Sequence, residues 1–120
     1  MNLLNKIGIG IDIVDVIRFK EISFDSKSGF YKKIFNTSEI KYCLKYKNPS
    51  EHFAAKFAIK EAVKKSIPDR ITMLNIETYY IKSKPHVQLK KPLKYRFSVS
   101  VSHESNIAIA IVLSEPTSTM

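Results

Sequence analysis

Glycine is scarce in this chain, with three in 120 residues. No Gly-rich loop of the Walker type can be built from them, which excludes that kind of phosphate cradle. Cysteine is scarcer still. Cys43 stands alone, which forbids an internal disulfide and suits a reducing, cytoplasmic compartment. A lone cysteine of this kind reads as a small buried hydrophobe. No apolar run approaches the ~20 residues of a membrane span. Met1 to Lys6, with one lysine and no long apolar stretch, does not read as a signal peptide. No Cys/His cluster has zinc-ligand spacing, and no nucleophile elbow marks a Ser-His-Asp hydrolase. Repeats and linkers are also missing. The chain therefore reads as one domain over residues 1–120, with a polar tail at 115–120 expected to be flexible.

Acidic residues are few, 11 against 20 Lys+Arg, and the net charge is +9. A surface this basic attracts anions: nucleic acid, phosphorylated ligands or an acidic protein. Charge alone does not choose among them.

From Lys6 to Val16 the sequence alternates as a strand. Ile7, Ile9, Ile11 and Ile13 form one face, expected to be core; Gly8, Gly10 and Asp12 lie on the other. Glycines in a strand leave room for a close approach. Asn36-Thr37-Ser38-Glu39 is a capping-box signature and opens a short helix to about Tyr46. A long helix is expected over Ser50 to Ile67, stopped by Pro68. Strands are expected at Asn75–Lys82, His86–Leu89, Tyr95–His103 and Ile107–Leu113. The last of these is apolar on both faces and reads as central. Glu104-Ser105-Asn106 reads as a hairpin loop between the last two. The fold class is α+β: a mainly antiparallel sheet packed against one long helix, with short helices besides.

Two carboxylates break the apolar patterning. On the long helix, Phe53, Ala54, Phe57 and Ala58 share an arc that includes Glu61, while Lys56, Lys60 and Lys64 lie on a separate side. Glu61 either pairs with Lys65 one turn on or serves as a ligand. Asp12 either caps neighbouring backbone or does the same. Mg²⁺ typically takes one or two carboxylates and completes its shell with water and phosphate oxygens. A pair of this kind in a basic chain therefore suits phosphate chemistry. His103 ends a strand, where a lone histidine is usually structural. His52 and His86 have no evident company. Tyr79, Tyr80 and Tyr95 beside lysines allow an alternative reading, a small basic nucleic-acid-binding module, but strand tyrosines commonly serve packing.

Gly10-Ile11-Asp12 followed by Arg18, Phe57-Ala58-Ile59-Lys60-Glu61-Ala62-Val63-Lys64-Lys65, and Ser100-Val101-Ser102-His103 followed by Ala108 and Ala110 occur in the order and spacing of three motifs of the holo-(acyl-carrier-protein) synthases. Phe35 to Glu39 resembles that family's helix start. The resemblance runs from about Ile7 to Val112. It implies the 4′-phosphopantetheinyl transferase fold and a Mg²⁺-dependent transfer of 4′-phosphopantetheine from coenzyme A to a serine of acyl carrier protein, in support of fatty acid biosynthesis. It implies Asp12 and Glu61 as metal ligands and, with Lys65 and His103, as the catalytic set. Lys60, Lys65, Ser102 and His103 are implied near the coenzyme A phosphates, with Lys84 and Pro85 near the adenine end. Arg18 would face acyl carrier protein. A homotrimer with active sites at subunit boundaries is implied as well, with no nucleic-acid partner. A non-catalytic trimer that kept only the fold would not need the acidic pair. The sequence departs from the family at Lys56, where arginine is usual, and at Ser66-Ile67-Pro68-Asp69, where a Gly-Thr-Gly loop is common.

Overall fold

The structure is a computed structural model that describes residues 6–91, 93–104 and 106–117. Its elements in chain order are β1 (Gly8–Asp15), α1 (Ile17–Glu21), α2 (Ser28–Lys32), α3 (Thr37–Leu44), α4 (Pro49–Ser66), β2 (Ile76–Ile81), β3 (Lys84–Leu89), β4 (Tyr95–His103) and β5 (Ile107–Pro116). The expected class is present: two antiparallel sheets, β1-β5-β4 and β2-β3, with α4 across the larger one. α1 and α2 lie in a stretch where the sequence announced no element. β5 is central, as its two apolar faces required. Of the tail expected to be flexible, Glu115 and Pro116 belong to β5 and pair with Arg96 and Tyr95, and Thr117 donates to Lys94 O. Residues 118–120 lie outside the described part, as does Ser105 of the expected hairpin loop.

Local signals account for the element starts. Glu39 accepts from the Asn36 backbone N–H at 2.7 Å, which closes the capping box of α3. Pro49 takes the first position of α4, where its missing N–H costs nothing. The β2–β3 hairpin turns through Lys82 and Ser83, at φ 50° and 68°, the left-handed geometry of a two-residue hairpin turn.

The isoleucine face of β1 is not core. Ile9 and Ile13 are 61% and 62% exposed, and Ile11 is exposed too. The glycine face turns inward instead. α4 presents Ala54, Ala58 and Ala62 to the sheet, β5 answers with Ala108, Ala110 and Val112, and all are buried. With side chains this small, helix and sheet come very close. A β-carbon on Gly10 would lie 1.9 Å from Ala62 O, and one on Gly8 would lie 1.8 Å from Ser66 O. Any other residue at either position would push the strand off the helix. Under the shorter helices a second part of the core gathers Phe19, Tyr31, Phe35 and Phe53, with ring centroids 4.6–6.5 Å apart. Cys43 is buried on α3, and burial pushes its thiol up to about 12.

Candidate active site

The pleat of β1 places Asp12 on the same side as Gly8 and Gly10, toward α4. Lys65 reaches across from the last turn of α4. Its ammonium donates to Asp12 Oδ1 and to Ile11 O, both at 3.0 Å. Lys65 therefore serves β1 and makes no ion pair with Glu61 among the described residues. Glu61 lies one turn N-terminal to Lys65, about 5.4 Å along the axis and on the same helix face. It is half-buried, with no charged partner among the described residues. One turn further back is Phe57, whose ring carries the Arg18 guanidinium at 5.2 Å. Asp12, Glu61, Lys65 and Arg18 thus share the β1 flank of the molecule.

The other expected site residues lie on the opposite edge of the sheet. His103 ends β4, and Ala108 of β5 stands between it and Val14 of β1. The two edge strands are separated by two inter-strand spacings, about 10 Å. Lys84 and Pro85 begin β3 and line a cleft of about 420 Å³ whose other wall is Phe97 to Val101 of β4. Ser102 lies within β4 but points to the outer face, where its register partner is the exposed Ile109. Within one chain, then, the expected residues form two groups on opposite edges.

Lys60 joins neither group, contrary to its expected place near coenzyme A phosphates. It is fully enclosed. Its ammonium donates to Glu39 Oε1 at 2.6 Å, Ile34 O at 2.7 Å and Met73 O at 3.1 Å. All three ammonium hydrogens are engaged, so none is left for a ligand. Glu39 Oε2 accepts from the Thr78 N–H and hydroxyl, each at 2.7 Å. Lys56 in turn donates to Thr78 Oγ1 at 2.9 Å and lies over the Tyr42 and Tyr80 rings. Burial pulls the Glu39 carboxyl upward, but the Lys60 ammonium and the hydrogen bonds from Lys60, Asn36 and Thr78 outweigh it and hold the carboxyl below its ordinary value. Burial lowers both lysines, Lys60 against the opposing pull of Glu39. This network ties α3, α4 and β2 together beneath the surface.

His52, which had no evident company in the sequence, has it in the fold. Its ring stacks on Tyr46 at 3.8 Å, and His103 stands edge-on at 6.0 Å. Glu51 Oε1 lies 3.8 Å from His103 Nδ1. Nothing in the spacing of Glu51 or His52 marks them. They come to His103 only because the start of α4 abuts the end of β4. The loop Ser66–Asp69 is fastened at both ends: Ser66 O accepts from Ser114 Oγ at 2.7 Å, and Asp69 Oδ1 accepts from the Tyr95 hydroxyl.

The two carboxylates fit a divalent cation by their chemistry. They are oxygen donors from two elements on one flank, one of them uncompensated, and two such donors suit an ion that keeps water and phosphate in its shell. The described residues hold no group of three or more His, Cys, Asp or Glu side chains that would cage a metal completely. They also hold no helix long and apolar enough to cross a membrane.

The sequence profile of the 4′-phosphopantetheinyl transferase superfamily matches residues 8–112. Holo-[acyl-carrier-protein] synthase of Thermodesulfovibrio yellowstonii is 38% identical over 109 residues, 88% of this chain and 96% of that protein. The protein of the same name from Chlorobaculum parvum is 35% identical, covering 90% and 97%. Among solved structures, a holo-(acyl-carrier-protein) synthase from Bacillus anthracis in complex with CoA (3′,5′-ADP) superposes with a TM-score of 0.80 at 26% identity, covering 92% of this chain and 96% of that one. The Helicobacter pylori holo-[acyl-carrier-protein] synthase in complex with coenzyme A gives 0.74 at 32% identity, covering 89% and 99%.

Proposed function

The chain belongs to the 4′-phosphopantetheinyl transferase superfamily as a holo-(acyl-carrier-protein) synthase, and from that membership we propose that its Asp12–Glu61 flank is the catalytic centre. The activity is transfer of phosphopantetheine from coenzyme A to acyl carrier protein. The observation that carries the site is the pairing of a strand carboxylate with an uncompensated helix carboxylate one turn from Lys65.

In the reaction, the carrier-protein serine oxygen bonds to the β-phosphorus of coenzyme A. The bridging P–O bond breaks, and adenosine 3′,5′-bisphosphate leaves with the electron pair. The serine proton goes to a base of the site, for which His103 is the candidate. Asp12 and Glu61 would hold Mg²⁺, which when bound neutralises charge building on the pyrophosphate. Lys65, already held against Asp12, adds a fixed positive charge beside them. Lys84 and Pro85 bind coenzyme A along the β3–β4 cleft. Arg18, exposed beside Phe57, meets the carrier protein. The net charge of +9 steers an acidic carrier to this face.

The working unit is a homotrimer. Ile9, Ile11 and Ile13 stand opposite Leu113, Ile111 and Ile109, and all six are exposed in the single chain. Monomeric proteins rarely leave an apolar patch of this extent open. A cyclic head-to-tail assembly would cover it. It would also bring the His103–Lys84 edge of one chain to the Asp12–Glu61 flank of the next, joining two groups that one chain holds apart. The protein works as one domain in the cytoplasm.

The test is mass spectrometry of apo-acyl carrier protein after incubation with the protein, coenzyme A and Mg²⁺. A mass gain of one phosphopantetheine per carrier supports the reading. An unmodified carrier, with the chain folded and both substrates present, sinks it.

A further inference from the structure

We propose that Glu51 is a positioning residue for His103: its carboxylate faces Nδ1 and so leaves Nε2 as the ring nitrogen turned to the ligand. The inference deepens the assignment of His103 to the site and rests on it. Glu51 Oε1 is 3.8 Å from His103 Nδ1, with the side chains 25% and 36% exposed. That separation is longer than a hydrogen bond. Both side chains are partly exposed and have room to move, so that a small side-chain rotation closes the gap in the free protein.

A carboxylate only accepts, and a neutral imidazole has a single N–H. When Glu51 and His103 meet, the proton must therefore sit on Nδ1. Nε2 is then bare and can take a proton from an attacking hydroxyl. The same logic governs any imidazole whose far nitrogen is held by a carboxylate.

His52 completes the arrangement. Its ring, stacked on Tyr46 at 3.8 Å, stands as a wall 6.0 Å from His103 and limits how far that imidazole can swing. Burial, and then the neighbouring His103, lower the pKa of His52. It stays neutral at pH 7 and offers Glu51 no competing cation. Glu51 lies in the first turn of α4, and among the described residues its carboxylate makes no ion pair with a lysine or arginine.

The experiment compares the full chain with Glu51→Gln and Glu51→Leu. Nitrogen NMR of ¹⁵N-labelled imidazoles reads the tautomer of His103 directly. The neutral ring is expected as Nδ1–H in the parent protein and in Glu51→Gln, whose amide oxygen still accepts, and to shift toward Nε2–H in Glu51→Leu. In the transfer assay, Glu51→Leu should lose about tenfold or more in kcat with little change in KM for coenzyme A, and Glu51→Gln should recover most of it. Thermal unfolding checks that each variant folds. An unchanged tautomer in Glu51→Leu, or an unchanged kcat, overturns the proposal. The tautomer is read without substrate, so a parent protein unable to transfer phosphopantetheine would sink the enzymatic reading while the pairing was still decided.

Discussion

The ammonium of Lys60 lies 2.6 Å from the Glu39 carboxylate, and both side chains are wholly enclosed. Each charge is tolerable only because the other is there. Removing one leaves an uncompensated buried ion, which typically costs about 3–5 kcal/mol. Lys60→Met should therefore lower the thermal midpoint by more than about 10 °C. If the midpoint fell by only a degree or two in calorimetry, the pair would not be holding the fold.

The same pair gives the protein an acid limit. The Glu39 carboxyl titrates below its ordinary 4.5. Its stabilising contribution is complete above that value and is lost as the pH falls through the lowered native value, because the unfolded chain takes up the proton first. Urea midpoints of the parent and Glu39→Gln should differ most near pH 7 and converge as the pH is taken down below 4.5 and through the lowered native value. A gap independent of pH would contradict the assignment.

Gly10→Ala tests how tightly β1 is pressed against α4. The new methyl would need the space of the Ala62 carbonyl, 1.9 Å away. Overpacking of this sort costs about 1–3 kcal/mol or more, and here it also displaces Asp12 two residues on. Loss of transfer activity together with a lower unfolding midpoint is expected, whereas most surface changes to alanine move the midpoint little.

Asp12→Asn and Glu61→Gln keep size and hydrogen bonding but remove charge. Each should cut Mg²⁺-dependent transfer by at least about 100-fold. Circular dichroism should stay that of the parent. Retention of full activity by either variant would overturn the proposal that its residue holds the metal.

Ile111→Glu puts a charge at the centre of the exposed apolar face, opposite Ile11. Sedimentation should show the parent at three times the chain mass and the variant at the chain mass. A parent that sediments as a monomer would end the trimer proposal.

Much of the architecture was legible because it is written locally. Asn36 and Glu39 announce α3, Pro49 opens α4, and the strand alternation from Tyr95 to His103 matches β4 from end to end. Alternation, however, only says which residues share a face. It does not say which face the single chain buries, and on β1 the isoleucines went outward because only glycine fits against the Ala62 and Ser66 carbonyls. Lys60 was misplaced for a related reason. Its partner Glu39 is 21 residues earlier, and the helix wheel of α4 carries no trace of it. Asp12 and Glu61 stand out in the sequence as polar breaks in apolar patterns. Glu51 and His52 do not, since only the docking of α4 on β4 gives them a neighbour.

Cys43 turns the interior into a clock. With the thiol enclosed and pushed up to about 12, almost no thiolate exists at neutral pH and no reagent reaches the sulfur. Alkylation can proceed only in the moments when α3 lifts from α4. The rate at which the native chain acquires a single thiol label therefore counts those openings, and the protein carries its own gauge of how often its helical layer breathes.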